Sequence, residues 1–181
     1  MTPEAIEIRD AAVALLADNG GLFKLVSIVP VDVEPDDQLP SLMVMAWREQ
    51  AKADGDAFSG EPHFVNDLTL VFAFKVKANA REATAAPLYK RMRWVLNKLL
   101  TSPAWLAHIE GVTSYSSSVS IPRDGETWFA QGTIEMQVQF STRWEPVVPD
   151  DYLGTDLVAR PFGHDANTPE IRVTLDQVQP D

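Results

Sequence analysis

The chain contains no cysteine. That excludes a disulfide scaffold, Cys-ligated zinc, iron–sulfur clusters and thiol catalysis. Histidine is scarce, with His63, His108 and His164 the whole complement. Three scattered imidazoles do not make a histidine-rich metal centre. There is no His-Glu-x-x-His, no Gly-x-Gly-x-x-Gly and no phosphate loop. Positive charge is also short: 15 Lys and Arg stand against 26 Asp and Glu, a net charge of −11. Such a chain is poorly suited to coating DNA. No apolar run approaches the roughly 18 residues of a spanning helix. Met1-Thr2-Pro3-Glu4 lacks the basic start and apolar run of a signal peptide. Synthesis in the cytoplasm and no membrane partner are therefore expected.

What remains is a chain of 181 residues, 45% apolar and 23% charged, long enough to bury a core unaided. The first element reads as a helix over 3–18. Thr2 suits the N-cap and Pro3 the first helical position, where a missing N–H costs nothing. Ile6, Ala12, Val13 and Leu16 suggest its apolar stripe, and Asn19-Gly20-Gly21 stops it. Residues 22–29 (LFKLVSIV) and 42–47 (LMVMAW) read as strands. The stretches 30–40 and 48–62 read as loops, rich in Pro, Gly and charge. Loops of that length usually bind something or pack on a neighbour.

The strongest signal begins at Phe64. Leu68, Leu70, Phe72, Phe74 and Val76 alternate with polar or small residues, the period of a strand with one buried face. A helix over 83–100 follows, with Leu88, Met92, Val95, Leu96 and Leu99 on one side. Pro87 makes a regular start nearer 87 plausible, and residues 104–109 add a short turn. Residues 112–121 (VTSYSSSVSI) suit a polar edge strand. Pro122-Arg123-Asp124-Gly125 has turn chemistry. The last long strand carries Trp128, Ala130, Ile134, Met136, Val138, Phe140 and Trp144 in alternation, with curvature expected near Gly132. These elements predict an α+β fold: a mainly antiparallel sheet of about four to five strands, with two helices packed on one face. Residues 1–146 form this domain. Residues 147–181 are an acidic, proline-rich extension in which only 171–178 (IRVTLDQV) alternates like a strand.

The chemistry-bearing residues are few. Asp36-Asp37 and Asp150-Asp151 lie among prolines, where paired acids are normally solvated. Ser116 to Ser118 with His108 could be drawn as a triad, but no strand–turn–helix elbow positions a serine. His108, after Trp105 and Leu106, is expected to pack at a helix end, and His63 and His164 lie in loops without a partner pattern. No catalytic residue, cofactor or metal ligand is assigned, and an enzyme is not expected. The basic side of the second helix carries Lys90, Arg91, Arg93 and Lys98, with Trp94 among them and off the apolar stripe. It fits a solvent face that balances the acidic chain, a contact with an acidic surface such as the next copy of the same chain, or a DNA backbone. A tryptophan in such a place is a common interface anchor. These five residues, with Asp36 and Asp37, are the candidate subunit interface.

The order helix, two strands, long loop, long strand, helix, hairpin, together with Leu39-Pro40-Ser41-Leu42-Met43-Val44 (LP-x-L-x-V), resembles the phage tail terminator family, also called tail completion or minor tail protein U-like proteins. In that family an "LP" precedes the second strand, a helix like 88–100 follows the alternating strand, and the final strand ends in an aromatic, as Phe140 to Trp144 does here. The likeness runs from about Ile6 to Pro146, and 147–181 exceeds the shorter members. It implies a virion structural protein of the tail and neck region, without an active site. It also implies a homo-oligomer, a hexameric ring that caps the head-proximal end of the tail tube, stops tube growth and presents a surface to the neck or stopper proteins. DNA would pass through the lumen without sequence-specific binding, and six subunits at −11 each would repel it and let it slide. Two other readings compete: another neck, stopper or tube component of a phage or contractile injection particle, and a small-ligand-binding domain.

Overall fold

A computed structural model describes residues 1–29, 38–55, 62–78, 81–124, 127–144, 154–159 and 171–176. They fall into two compact units, Met1–Trp144 and Glu145–Asp181. Asp36, Asp37, Asp150, Asp151 and His164 lie outside the described residues.

Helix α1 spans Pro3–Ala17. The Thr2 hydroxyl accepts from the Ala5 N–H at 3.3 Å and donates to Glu49 at 2.8 Å. One side chain thus caps the helix and ties it to the sheet. At the other end Gly20 and Gly21 take φ of 57° and 82°, the left-handed region open to glycine. The Asn19 side chain accepts from the Phe23 N–H and donates to the Ala17 carbonyl. The buried stripe is Ala5, Ile8, Ala12 and Leu16, while Ile6 is exposed. Isoleucines stand at both 6 and 8, and only the register of the buried alanines separates them.

The sheet consists of β1 (Leu25–Ser27), β2 (Ser41–Ala53), β3 (His63–Ala78), β4 (Gly111–Ser120), β5 (Arg123–Asp124) and β6 (Thr127–Arg143). Its order is β1-β2-β3-β6-β4, with β5 paired to β6. Only β1, which lies along the start of β2, is parallel to its neighbour. Helices α2 (Arg81–Leu100) and α3 (Pro103–Leu106) connect β3 to β4. The α+β expectation, a mainly antiparallel sheet with helices on one face, describes this body.

One face of β2, β3 and β6 presents Leu42, Val44, Leu68, Leu70, Phe72, Ile134, Met136 and Val138, all fully buried. They meet Leu88, Met92, Val95 and Leu99 of α2 and the stripe of α1 in a single core. Each large side chain so buried contributes about 1.5–3 kcal/mol. Trp105 of α3 closes the cluster, its indole N–H donating to the Ile8 carbonyl at 3.2 Å. At Gly132 a Cβ would stand 2.8 Å from Met92 Sδ and 3.1 Å from a Leu88 methyl. This glycine therefore marks the close approach of α2. β6 passes through it with unbroken register to β3.

Four further expectations are corrected. The apolar run 22–29 yields only three strand residues, because Leu22 and Phe23 pack on the core as a turn. Residues 48–53 are not loop: β2 continues to Ala53, paired with Phe64. Arg123 and Asp124 are not turn residues but pair with Trp128 and Thr127. Helix α2 starts at Arg81, with Pro87 inside it. In the second unit β7 (Gly154–Ala159) pairs antiparallel with β8 (Ile171–Asp176). The β8 strand was expected, its partner was not.

Candidate functional site

The basic side of α2 splits into two rows. Pro87, Arg91, Trp94 and Lys98 follow helical spacing along the margin of the buried stripe, and Lys90 and Arg93 point away from it. Lys90 and Arg93 are exposed. Arg91 is half-buried: its Nε donates to the Leu22 carbonyl at 2.8 Å and its Nη1 to the Pro87 carbonyl at 3.0 Å. Burial lowers its pKa from the ordinary arginine value, the direction desolvation gives a cation. It is a clamp holding the turn after α1 onto α2. Trp94 is not a free anchor among charges either. Its ring lies 6.1 Å from that of Phe23, and the Lys98 ammonium lies 5.8 Å from its centroid. The intramolecular work of Arg91, Trp94 and Lys98 leaves Lys90 and Arg93 as the outward charges of the five.

The two described histidines, His63 and His108, behave differently from expectation. His63 has a partner, Asp54, at 3.1 Å across the mouth of the β2–β3 hairpin. His108 is exposed rather than packed. It lines an open depression of about 270 Å³ with Glu4, Glu7, Glu110, Phe140 and Ser141, where the Ser141 hydroxyl bonds to Glu110. Ser116 to Ser118 belong to the edge strand β4 and pair with Glu135, Ile134 and Thr133. The imagined triad has no elbow and no shared wall. Among the described residues no cluster of His, Asp or Glu could hold a metal ion.

The exposed apolar side chains are more informative. Trp47 is 69% exposed, Trp144 55% and Tyr115 54%, and Tyr89 also projects from α2. Trp47 sits at a bulge in β2, where Ala46 pairs with Leu70 and Arg48 with Thr69. A bulge re-aims side chains and bends an edge. Trp144 directly follows β6 and donates its backbone N–H to the Pro62 carbonyl at 3.0 Å. Sequence reading assigned Trp47 and Trp144 to strand patterns and gave Tyr115 no role. The available signal was polarity: each of these rings has charged or hydroxyl-bearing neighbours on its own strand.

No family model and no curated protein matches the chain. One solved structure to which the chain is similar is a chain of the virion of a native gene transfer agent particle, 13% identical, with a TM-score of 0.36, covering 73% of this chain and 94% of that one.

Proposed function

We propose that the protein is a virion structural protein, a tail terminator whose subunits close into a hexameric ring at the head-proximal end of a phage-type tail tube. The observation that carries the reading is the order of elements. Helix α1 leads through β1 to Leu39-Pro40 at the head of β2, then β3, α2, and a hairpin whose last strand ends at Arg143, just before Trp144. This is the order of the family that the sequence resembles. The exposed Trp47, Tyr115 and Trp144 support it as well, since aromatic anchors at strand margins are the usual currency of protein interfaces. Ring closure needs heterologous contacts, in which one surface of a subunit meets a different surface of the next. The tube below and a neck protein above are the proposed partners. The net charge of −11 per subunit suits a conduit that DNA crosses without sticking.

The test is assembly on polymerising tail-tube subunits from the same particle, followed by electron microscopy. Tubes of limited length with a ring at one end are expected. Tubes that grow on without limit, with the protein left monomeric in the supernatant, would overturn the proposal.

A further inference from the structure

Among the described residues the sheet has two open edges. On one side β1 covers only Ser41 to Met43, and no described strand pairs with the outer edge of Val44 to Ala53, the edge away from β3. On the other side β4 pairs, among the described residues, with β6 alone. Open edges present rows of unpaired N–H and C=O groups, and proteins normally blunt them with proline, charge or a bulge. Strand β4 has no proline and no charge (GVTSYSSSVS), and its register shift lies near its beginning, between Val112 and Ser114. From Ser114 onward β4 is an uncharged, regular edge open to pairing, while the open stretch of β2 carries Arg48, Glu49 and Lys52 beside its bulge.

We infer that β4 of one subunit pairs with the open stretch of β2 in the next, so that the sheet continues from copy to copy. Three observations choose a second copy of this chain as the occupant. First, β2 and β4 run in opposite directions, because each step from β2 through β3 and β6 to β4 is antiparallel. Subunits related by rotation about an axis along the strands therefore bring the two edges together antiparallel, extending the pattern already present. Second, the edges are level. Val44, Phe72, Ile134 and Ser117 share one row, and Arg48, Thr69, Gln137 and Ser114 another. Third, the bulged Trp47 falls between the rows that end at Tyr115 and Ser114. At the height of the most exposed ring of one edge, the other edge thus carries an aromatic of its own. A symmetric β4–β4 pairing would leave Trp47 in water. The contact is heterologous and can close a ring. It rests on the ring reading above and gives that ring its interface.

The chain has no cysteine, so engineered thiols report without background. Arg48→Cys and Ser114→Cys variants of the full chain are mixed under assembly conditions and oxidised, with Ser116→Cys and Ser118→Cys covering an offset register on the same face. Opposed residues in antiparallel strands lie about 4.5–5.5 Å apart, within disulfide reach. One β2–β4 pair is expected to cross-link with near-complete loss of monomer, and Trp47→Ser to remove both the cross-link and the assembly while the monomer melts unchanged. Dominant Ser114→Cys homodimers would overturn the inference. So would a hexamer in which no β2–β4 pair cross-links, and that result would leave the ring reading standing. A chain that stays monomeric even with tubes would overturn both.

Discussion

Strands β3 and β6 differ from β2 and β4 in what their side chains meet. The central pair carries Leu68, Leu70, Phe72, Ile134, Met136 and Val138, each without measurable exposure. The marginal pair is half wet: β2 loses its buried residues after Val44, and β4 has none. The central strands spend their sequence on one core, and their identity is decided by burial. The marginal strands bury little within the subunit yet keep regular hydrogen bonding and two exposed aromatics. Stability is therefore concentrated at the centre, and the surfaces proposed for assembly lie at the margins.

The largest effect should come from the centre. Phe72→Ala opens a cavity between the sheet and α2 and is expected to cost about 3–5 kcal/mol, read by urea unfolding followed by tryptophan fluorescence. Gly132→Val is next. Its Cβ would press on Met92 Sδ and Leu88, and over-packing of this kind costs about 1–3 kcal/mol. A variant as stable as the parent would show that α2 can lift off β6 freely. Arg91→Met against Arg93→Met sharpens the contrast within one helix. Losing the bonds to the Leu22 and Pro87 carbonyls is expected to cost about 1–2 kcal/mol, and Arg93→Met almost nothing. Equal losses would contradict the division of the basic side into two rows. Thr2→Ala removes the α1 cap and the bond to Glu49, a loss of about 1 kcal/mol visible in the thermal midpoint. Trp47→Ser should be the smallest of all for the monomer, within about 0.5 kcal/mol of the parent, and the most damaging for assembly.

The same contrast explains what the sequence made legible. Alternation over β3 and β6 and the Leu88–Leu99 stripe were readable because one-sided burial writes a period into the chain. The cap at Thr2 and the polar edge β4 were readable from local chemistry. The second half of β2 was not, because Arg48 to Ala53 has no apolar face: all but Glu49, which is tied to Thr2, are exposed. Strand β1 was overestimated for the opposite reason, as an apolar run that packs as a turn looks the same as one that pairs. Arg91 was misplaced although the arithmetic was available: it stands three residues after Leu88 and four before Val95, on the margin of the buried stripe. Gly132 was noticed, but the close approach of α2 over it was not legible, since a glycine in a strand marks a bend, a close neighbour or both, and the packing of Met92 shows only in the structure. Asp36 and Asp37, the acidic members of the candidate interface, lie outside the described residues.

The most direct measurement is native mass spectrometry of the purified chain, alone and after mixing with tail-tube subunits. A six-subunit species, or rings that appear only on tubes and limit their length, is the predicted result. A strict monomer indifferent to tubes would contradict the terminator reading.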